Sequence, residues 1–256
     1  MGQEKELISI IVPVYNAESY IEETVAMVRA QTCQSWELLL VDDHSGDQSL
    51  ARMEALAKQD HRIRVIAKPS NEGAALARNT GIDHSRGRYI AFLDADDVWM
   101  PDKLEKELAK YGFLKEKDAA FVYTAYEFGD EKAGRTGKVV HVLPVLTYKK
   151  ALSRTIIFTT TVLIDTQKTG KELLHMPDIK SEDTATWWKI LKAGYPAYGL
   201  DEVLAIYRRP PHSLSSNKLE AVRRIWQLYR RQEMLPFFQS AGCLLGWAWR
   251  ATIRRL

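Results

Sequence analysis

The sequence predicts an α/β protein built on a mostly parallel sheet, and three observations carry that expectation. Short apolar runs rich in β-branched residues alternate with helical patterns of about 10 to 15 residues, the spacing of strand-helix-strand units. Successive runs end in polar clusters, at Pro13 to Asn16, Asp42-Asp43 and Asp94 to Asp97. The stretches between them are long enough for right-handed crossovers, which put all three clusters on one edge of one sheet. Ligands of such sheets bind outside the carboxyl ends of the strands.

Taken in order, residues 7 to 12 form the first strand and residues 19 to 31 a helix, with Ile21, Val25 and Val28 on one face and acids in the first turn. Residues 36 to 41 form the second strand, and Asp47 opens a helix to about Lys58. Residues 62 to 67 form a third strand and 72 to 85 a third helix. Tyr89 to Leu93 is an apolar run that reads as a strand buried on both faces. Farther on, residues 119 to 128 and 138 to 145 read as strands around a turn containing Gly129, Gly134 and Gly137, and 156 to 164 as another strand. Trp187, Ile190, Leu191 and Gly194 mark a helix for which Ser181 is a cap. Residues 202 to 207 form a short strand, and the tail reads as two helices broken near Pro236.

The run Asp94-Ala-Asp96-Asp97 is the chemical centre of the pattern. On an extended backbone Asp94 and Asp96 share a side. Two carboxylates so placed resist joint ionisation unless a positive charge sits between them. A divalent cation carrying phosphate oxygens supplies that charge, and oxygen ligands suit magnesium or manganese. The competing role is helix capping by Asp97 ahead of Pro101 and the charged stretch from Lys103 to Lys110. No Gly-x-Gly-x-x-Gly or Gly-Lys-Ser/Thr follows the first strand, which argues against a dinucleotide fold and a P-loop. Diphosphate charge must then meet metal and basic side chains, with Arg78 the candidate.

Composition bounds the rest. A chain of 256 residues with 46% hydrophobic and 27% charged residues is that of a soluble globular protein with a sizeable core. The net charge of +3 is unevenly spread, because residues 218 to 256 carry +6 and leave −3 on the remainder. Two cysteines, Cys33 and Cys243, suit a reducing cytosol better than a disulfide framework. The acidic opening residues give no signal peptide or acylation signal, and no apolar run is long enough for a confident transmembrane span. In the tail, seven arginines accompany Trp226, Phe237, Phe238, Leu245, Trp247 and Trp249, a composition suited to a helix lying in a lipid interface. Packing on the catalytic domain is the other use of that apolar face. Nucleic acid is not expected, since no motif for it accompanies the charge.

Together, Pro13-Val-Tyr-Asn16, Val41-Asp-Asp-His-Ser45-Gly-Asp47, Asn71-Glu-Gly73, Ala77-Arg-Asn-x-Gly81, Gly87-x-Tyr89 and Phe92-Leu-Asp-Ala-Asp-Asp97 resemble, in order and spacing, the family 2 inverting glycosyltransferases. The resemblance is close over residues 7 to 110 and implies the GT-A fold, a nucleotide-diphosphate-sugar donor and a Mg²⁺ or Mn²⁺ ion. It implies that Pro13, Tyr15 and Asp42 line the base and ribose pocket, that Arg78 reaches the base or diphosphate, Asp94 the ribose or sugar, and Asp96 the metal. His44 stands where a glycine is more usual. Glu182 and Asp183 open a helix, where carboxylates gain from the dipole and free N–H groups. The resemblance instead makes Asp183 the catalytic base, with Glu182 pointing away. His212, in the segment after Tyr207-Arg208, is divided between a donor-side role and that of a plain loop histidine.

Within the family, the segment from Asp183 to Lys192 looks most like small bacterial teichuronic-acid, capsule and exopolysaccharide transferases. The implied partners are a UDP-sugar and a polyprenyl-diphosphate-linked glycan, with the enzyme peripheral to the inner face of the cell membrane. The expected organisation is a catalytic domain over 1–216, with a nucleotide-sugar half (1–110) and an acceptor half (111–216), then a basic helical tail over 217–256. Two other classes compete. A metal-dependent phosphohydrolase would use Asp94 and Asp96 as nucleophile and acid, and would release phosphate from simple esters. A non-catalytic nucleotide-sugar-binding partner of a membrane synthase would bind UDP without turnover.

Overall fold

The computed structural model describes residues 7–113, 119–209 and 218–253. The first half follows the alternating pattern: β1 (Ile8–Val14), α1 (Ile21–Arg29), β2 (Trp36–Asp42), α2 (Ser49–Ala57), β3 (Ile63–Ala67), α3 (Ala74–His84) and β4 (Tyr89–Phe92). β2 is buried at every position and β4 likewise, as their unbroken apolar runs require of strands covered on both faces. After β4 come a two-residue strand, β5 (Val98–Trp99), and α4 (Lys103–Phe113).

The second half contributes β6 (Phe121–Gly129), β7 (Arg135–Val140), β8 (Val145–Leu146), α5 (Tyr148–Ala151), β9 (Val162–Asp165), α6 (Thr166–Thr169), α7 (Glu182–Lys192) and β10 (Ala197–Arg208). The ten strands among the described residues join one sheet in the order β3-β2-β1-β4-β9-β6-β10-β5, with β7 beside β6 and β8 beside β10. β1 to β4 pair in parallel, as do β6 and β10. β9 runs antiparallel between β4 and β6. That arrangement brings the carboxyl ends of β1, β2, β4, β6 and β10, and the start of β9, to one edge.

Several expectations shift. The strand expected over 156 to 164 is short, because Thr159–Thr161 forms a 3₁₀ turn before β9. Its hydroxyls bond locally and across the edge, Thr161 Oγ1 to Phe158 O (2.6 Å) and Thr160 Oγ1 to Asp97 Oδ2 (2.6 Å), in competition with a ladder. The strand expected over 202 to 207 is twelve residues long, with register shifts near Leu200 and Val203 where exposed Asp201 and Glu202 interrupt the pattern. The strand expected over 138 to 145 divides into β7 and β8.

The tail forms α8 (Lys218–Gln227), a π-helical turn at Leu228–Gln232, and α9 (Phe237–Ile253). It packs on the catalytic unit beside α7. Tyr229 is fully buried and stacks on Trp188 at 5.4 Å and 7°, a pairing worth about 0.5–1.5 kcal/mol beyond area burial. Trp247 Nε1 donates to Thr155 Oγ1 (2.9 Å), and Lys192 pairs with Glu233 (3.0 Å). The opposite face leaves Phe237, Phe238, Leu245 and Trp249 exposed. No helix among the described residues is long and apolar enough to cross a membrane.

Candidate active site

The loops after β1 and β2 are stitched together at the carboxyl edge. Asn16 N donates to Ser45 Oγ (3.0 Å), Gly46 N to Asn16 Oδ1 (2.8 Å), Ala17 N to Ser49 Oγ (2.9 Å) and Glu18 N to Asp47 Oδ2 (3.1 Å). Asn16 and His44 both take positive φ, 49° and 62°. The left-handed turn at position 44 explains why a glycine suits it, and histidine is among the residues that tolerate it. These cross-links fix one wall of a cleft of about 550 Å³ lined by Pro13, Tyr15, Asn16, Asp43, Asn71, Gly73, Asp94 and Asp96, among others. Tyr15, 55% exposed, offers its ring to the opening.

Asp42 does not line this cleft. Its carboxylate accepts from Ser45 N (3.3 and 3.2 Å) and closes its own turn. The lining acid is Asp43, because neighbours at a strand end project to opposite sides. Asp43 accepts from Lys68 Nζ (2.6 Å), Glu72 N (3.1 Å) and Gly73 N (2.6 Å). Gly73 makes that contact at φ 90°, a conformation a side chain would strain.

The acidic run is a turn, which corrects the extended geometry expected for it: Asp97 N donates to Asp94 O (3.0 Å). Asp94 and Asp96 still reach the same cleft. Asp97 is buried and caps no helix, accepting instead from Thr160 Oγ1 (2.6 Å) and Arg208 N (3.2 Å). Arg208 holds the turn from outside, donating through Nε to Asp96 O (2.6 Å) and pairing with Glu23 (2.8 Å). Burial and the adjacent Asp94 raise the Asp96 carboxyl above the ordinary carboxylate range. Burial, then Asp94 and Asp96, raise Asp97 much further.

Arg78 is not a surface charge, nor does it line the cleft. It is buried, and its guanidinium bridges Asp94 Oδ1 (2.6 Å) and Glu182 Oε1 (3.0 Å). Burial alone would lower its pKa, but Asp94, Glu182 and Asp183 together hold it above its ordinary value. Glu182 therefore points toward the site, contrary to expectation. Burial and neighbouring Asp183 raise its pKa, opposed by Arg78. Ser181 does not cap α7 with its side chain; it occupies a left-handed position at φ 64° that swings the two acids into the edge. Asp183 Oδ1 accepts from Thr184 N (2.6 Å), and Oδ2 lies 3.5 Å from Thr159 Oγ1. His212 lies outside the described residues.

The donor set can be tested against a metal ion. Asp94 is committed to Arg78 and Asp97 to Thr160, and no group of three or more metal-ligating side chains occurs among the described residues. That leaves Asp96, an anion opposed by burial and by Asp94, facing the cleft. One carboxylate completed by phosphate oxygens and water is an ordinary arrangement for magnesium, so the residues fit an ion that arrives with a nucleotide diphosphate.

An open α/β sheet with an acidic turn, a nucleotide-sized cleft and a second carboxylate pair on one edge defines the GT-A class of nucleotide-diphospho-sugar transferases. The profile described as "Glycosyl transferase family 2" matches residues 9–171, and the chain belongs to that family. It is 42% identical over 253 residues to the "Putative teichuronic acid biosynthesis glycosyltransferase TuaG" of Bacillus subtilis, covering 98% of each chain. It is 35% identical to the "UDP-Glc:alpha-D-GlcNAc-diphosphoundecaprenol beta-1,3-glucosyltransferase WfgD" of Escherichia coli, over 87% of this chain and 85% of that one. Among solved structures, S. aureus TarS 1-349 in complex with UDP-GlcNAc superimposes with a TM-score of 0.69 at 19% identity, covering 94% of this chain and 71% of that one. Mannosyltransferase PcManGT from Pyrobaculum calidifontis, in complex with GDP-Man and Mn²⁺, gives 0.67 at 20% identity, covering 88% and 63%.

Proposed function

We propose that this glycosyltransferase moves a sugar, with inversion, from a UDP-sugar to a hydroxyl of a polyprenyl-diphosphate-linked glycan during assembly of a cell-surface polysaccharide. The observation that carries the proposal is the Arg78 bridge, which ties the acidic turn to the start of α7. The TuaG and WfgD similarities support the polymer and the lipid-linked acceptor.

In this scheme Tyr15, Pro13 and Asp43 frame the nucleotide, and Asp96 takes a Mg²⁺ or Mn²⁺ ion together with the donor's phosphates. Bound there, the ion supplies positive charge for the departing diphosphate. Arg78 engages Glu182, leaving Asp183 as the carboxylate of the pair that receives the acceptor's proton. As that proton moves to Asp183, the acceptor oxygen bonds the anomeric carbon and the nucleoside diphosphate leaves from the opposite face with the bonding electrons. Asp183→Asn is expected to lower kcat by about 10² to 10⁴ while UDP binding persists, and Asp96→Asn to remove the manganese dependence of UDP binding. Metal-dependent transfer that survives both substitutions would refute the scheme.

The enzyme works at the inner face of the membrane, held by α9. Its exposed Phe238, Leu245 and Trp249 form a stripe, with exposed Arg230 and Arg231 nearby in the chain, and apolar side chains beside cations suit an anionic lipid surface. Phe238→Asp with Trp249→Asp should release the protein from anionic vesicles in a flotation assay; unchanged flotation would refute the attachment.

A further inference from the structure

The diphosphate of the proposed donor enters a cleft of about 550 Å³ whose lining includes Asp43, Asp94 and Asp96. Three cations back these acids, and each is already engaged. Lys68 pairs with Asp43 and Glu72 (2.6 and 2.9 Å), and Arg78 with Asp94 and Glu182 (2.6 and 3.0 Å). Arg208 holds Asp96 O (2.6 Å) and Glu23 (2.8 Å). An ion on Asp96 meets part of the phosphate charge. The remaining oxygens need donors that no carboxylate occupies, and a hydroxyl facing an ionised acceptor makes a strong hydrogen bond.

Tyr20 carries such a hydroxyl. It lines the cleft with Ala95 and Asp96, is half-buried, and its hydroxyl has no hydrogen-bond partner among the described residues. It stands at the N-cap of α1, a position that favours short polar side chains, yet its side chain caps nothing. Contacts from the first turn of α1 fix it beside the acidic turn. The Arg208 guanidinium lies over the Tyr20 ring at 4.9 Å, within cation–π range, while its Nε holds Asp96 O. Buried Thr24 sits with Oγ1 2.9 Å from Tyr20 O and 2.8 Å from Ala95 O. The other tyrosine of the lining, Tyr15, is 55% exposed at the opening, so the two phenols serve different parts of a ligand.

We propose that the Tyr20 hydroxyl donates a hydrogen bond to the diphosphate of the nucleotide-sugar donor and holds the leaving group against the acidic turn. This rests on the donor assigned in the preceding subsection. Tyr20 binds the diphosphate alone and has no part in holding the base or the acceptor.

Titrations of the full chain with UDP and with uridine, followed by protein NMR with magnesium present, test it. Tyr20→Phe keeps the ring under Arg208 and removes only the hydroxyl. UDP should then bind about 10- to 100-fold more weakly, as loss of one charge-assisted hydrogen bond implies, while uridine binds as before. Thermal melting of the variant checks that it folds. Equal weakening of the two probes, or no weakening of UDP, would overturn the proposal. If the wild type binds no UDP, the donor assignment fails instead, and inorganic pyrophosphate with magnesium then decides for Tyr20. Pyrophosphate binding that Tyr20→Phe weakens sustains the contact; binding that is absent, or unchanged by the substitution, overturns it.

Discussion

Asp43 and Asp96 line the same cleft in opposite electrostatic circumstances. Asp43 is held by the Lys68 ammonium and by the amides of Glu72 and Gly73, all within hydrogen-bonding distance. Asp96 is opposed by burial and by Asp94, with the charges of Arg208 and Arg78 as its compensation. The same division extends outward. Around the nucleotide wall, Asp42 and Asp47 are satisfied by local amides, and Asn16 by Gly46 and Ser45. Around the transfer side, Asp96, Asp97 and Glu182 all have raised pKa values. One wall is thus organised before any ligand arrives, while the other gathers negative charge.

Breaking the Arg78 bridge between the acidic turn and the start of α7 has the largest expected effect on the fold. Arg78→Ala leaves Asp94 and Glu182 facing each other without their shared counter-charge, and removing one partner of a buried pair costs about 3–5 kcal/mol. Chemical denaturation should show that loss, and adding Glu182→Gln should restore part of it. If Arg78→Ala alone unfolds at the wild-type midpoint, the acidic turn and α7 are not coupled through this residue. A smaller effect is expected at the preorganised wall. Tyr15→Ala removes the exposed ring lining the cleft, and in the proposed scheme the lost stacking on the nucleotide base is worth about 1–3 kcal/mol. Donor KM should rise accordingly with kcat little altered; a fall in kcat at constant KM would put Tyr15 on the wrong side of the comparison.

Much of the cleft was legible in the sequence because its determinants are local. Pro13, Tyr15, Asn71, Gly73, Asp94 and Asp96 sit at strand ends that the alternating pattern marks, and all six line the cleft. The choice between Asp42 and Asp43 was not legible. The two are adjacent, and only the exact exit of β2 decides which faces inward. Glu182 was misread for a different reason: its partner, Arg78, is 104 residues away, and no periodicity reports a pairing across that distance. The threonine turn at Thr159–Thr161 hid inside an apolar, β-branched run that imitates a strand, and its hydroxyl bonds to Asp97 and Phe158 reveal the difference. Tail composition suggested either packing or a lipid surface; the described residues show one packed face, with Tyr229 against Trp188, and one exposed face.

The central claim is a single displacement, in which donor and acceptor meet between the acidic turn and Asp183. The anomeric configuration of the first-formed glycoside, read by proton NMR during transfer from an α-linked UDP-sugar, tests it most directly. A β-linked product is the result predicted here, and an α-linked product would contradict it.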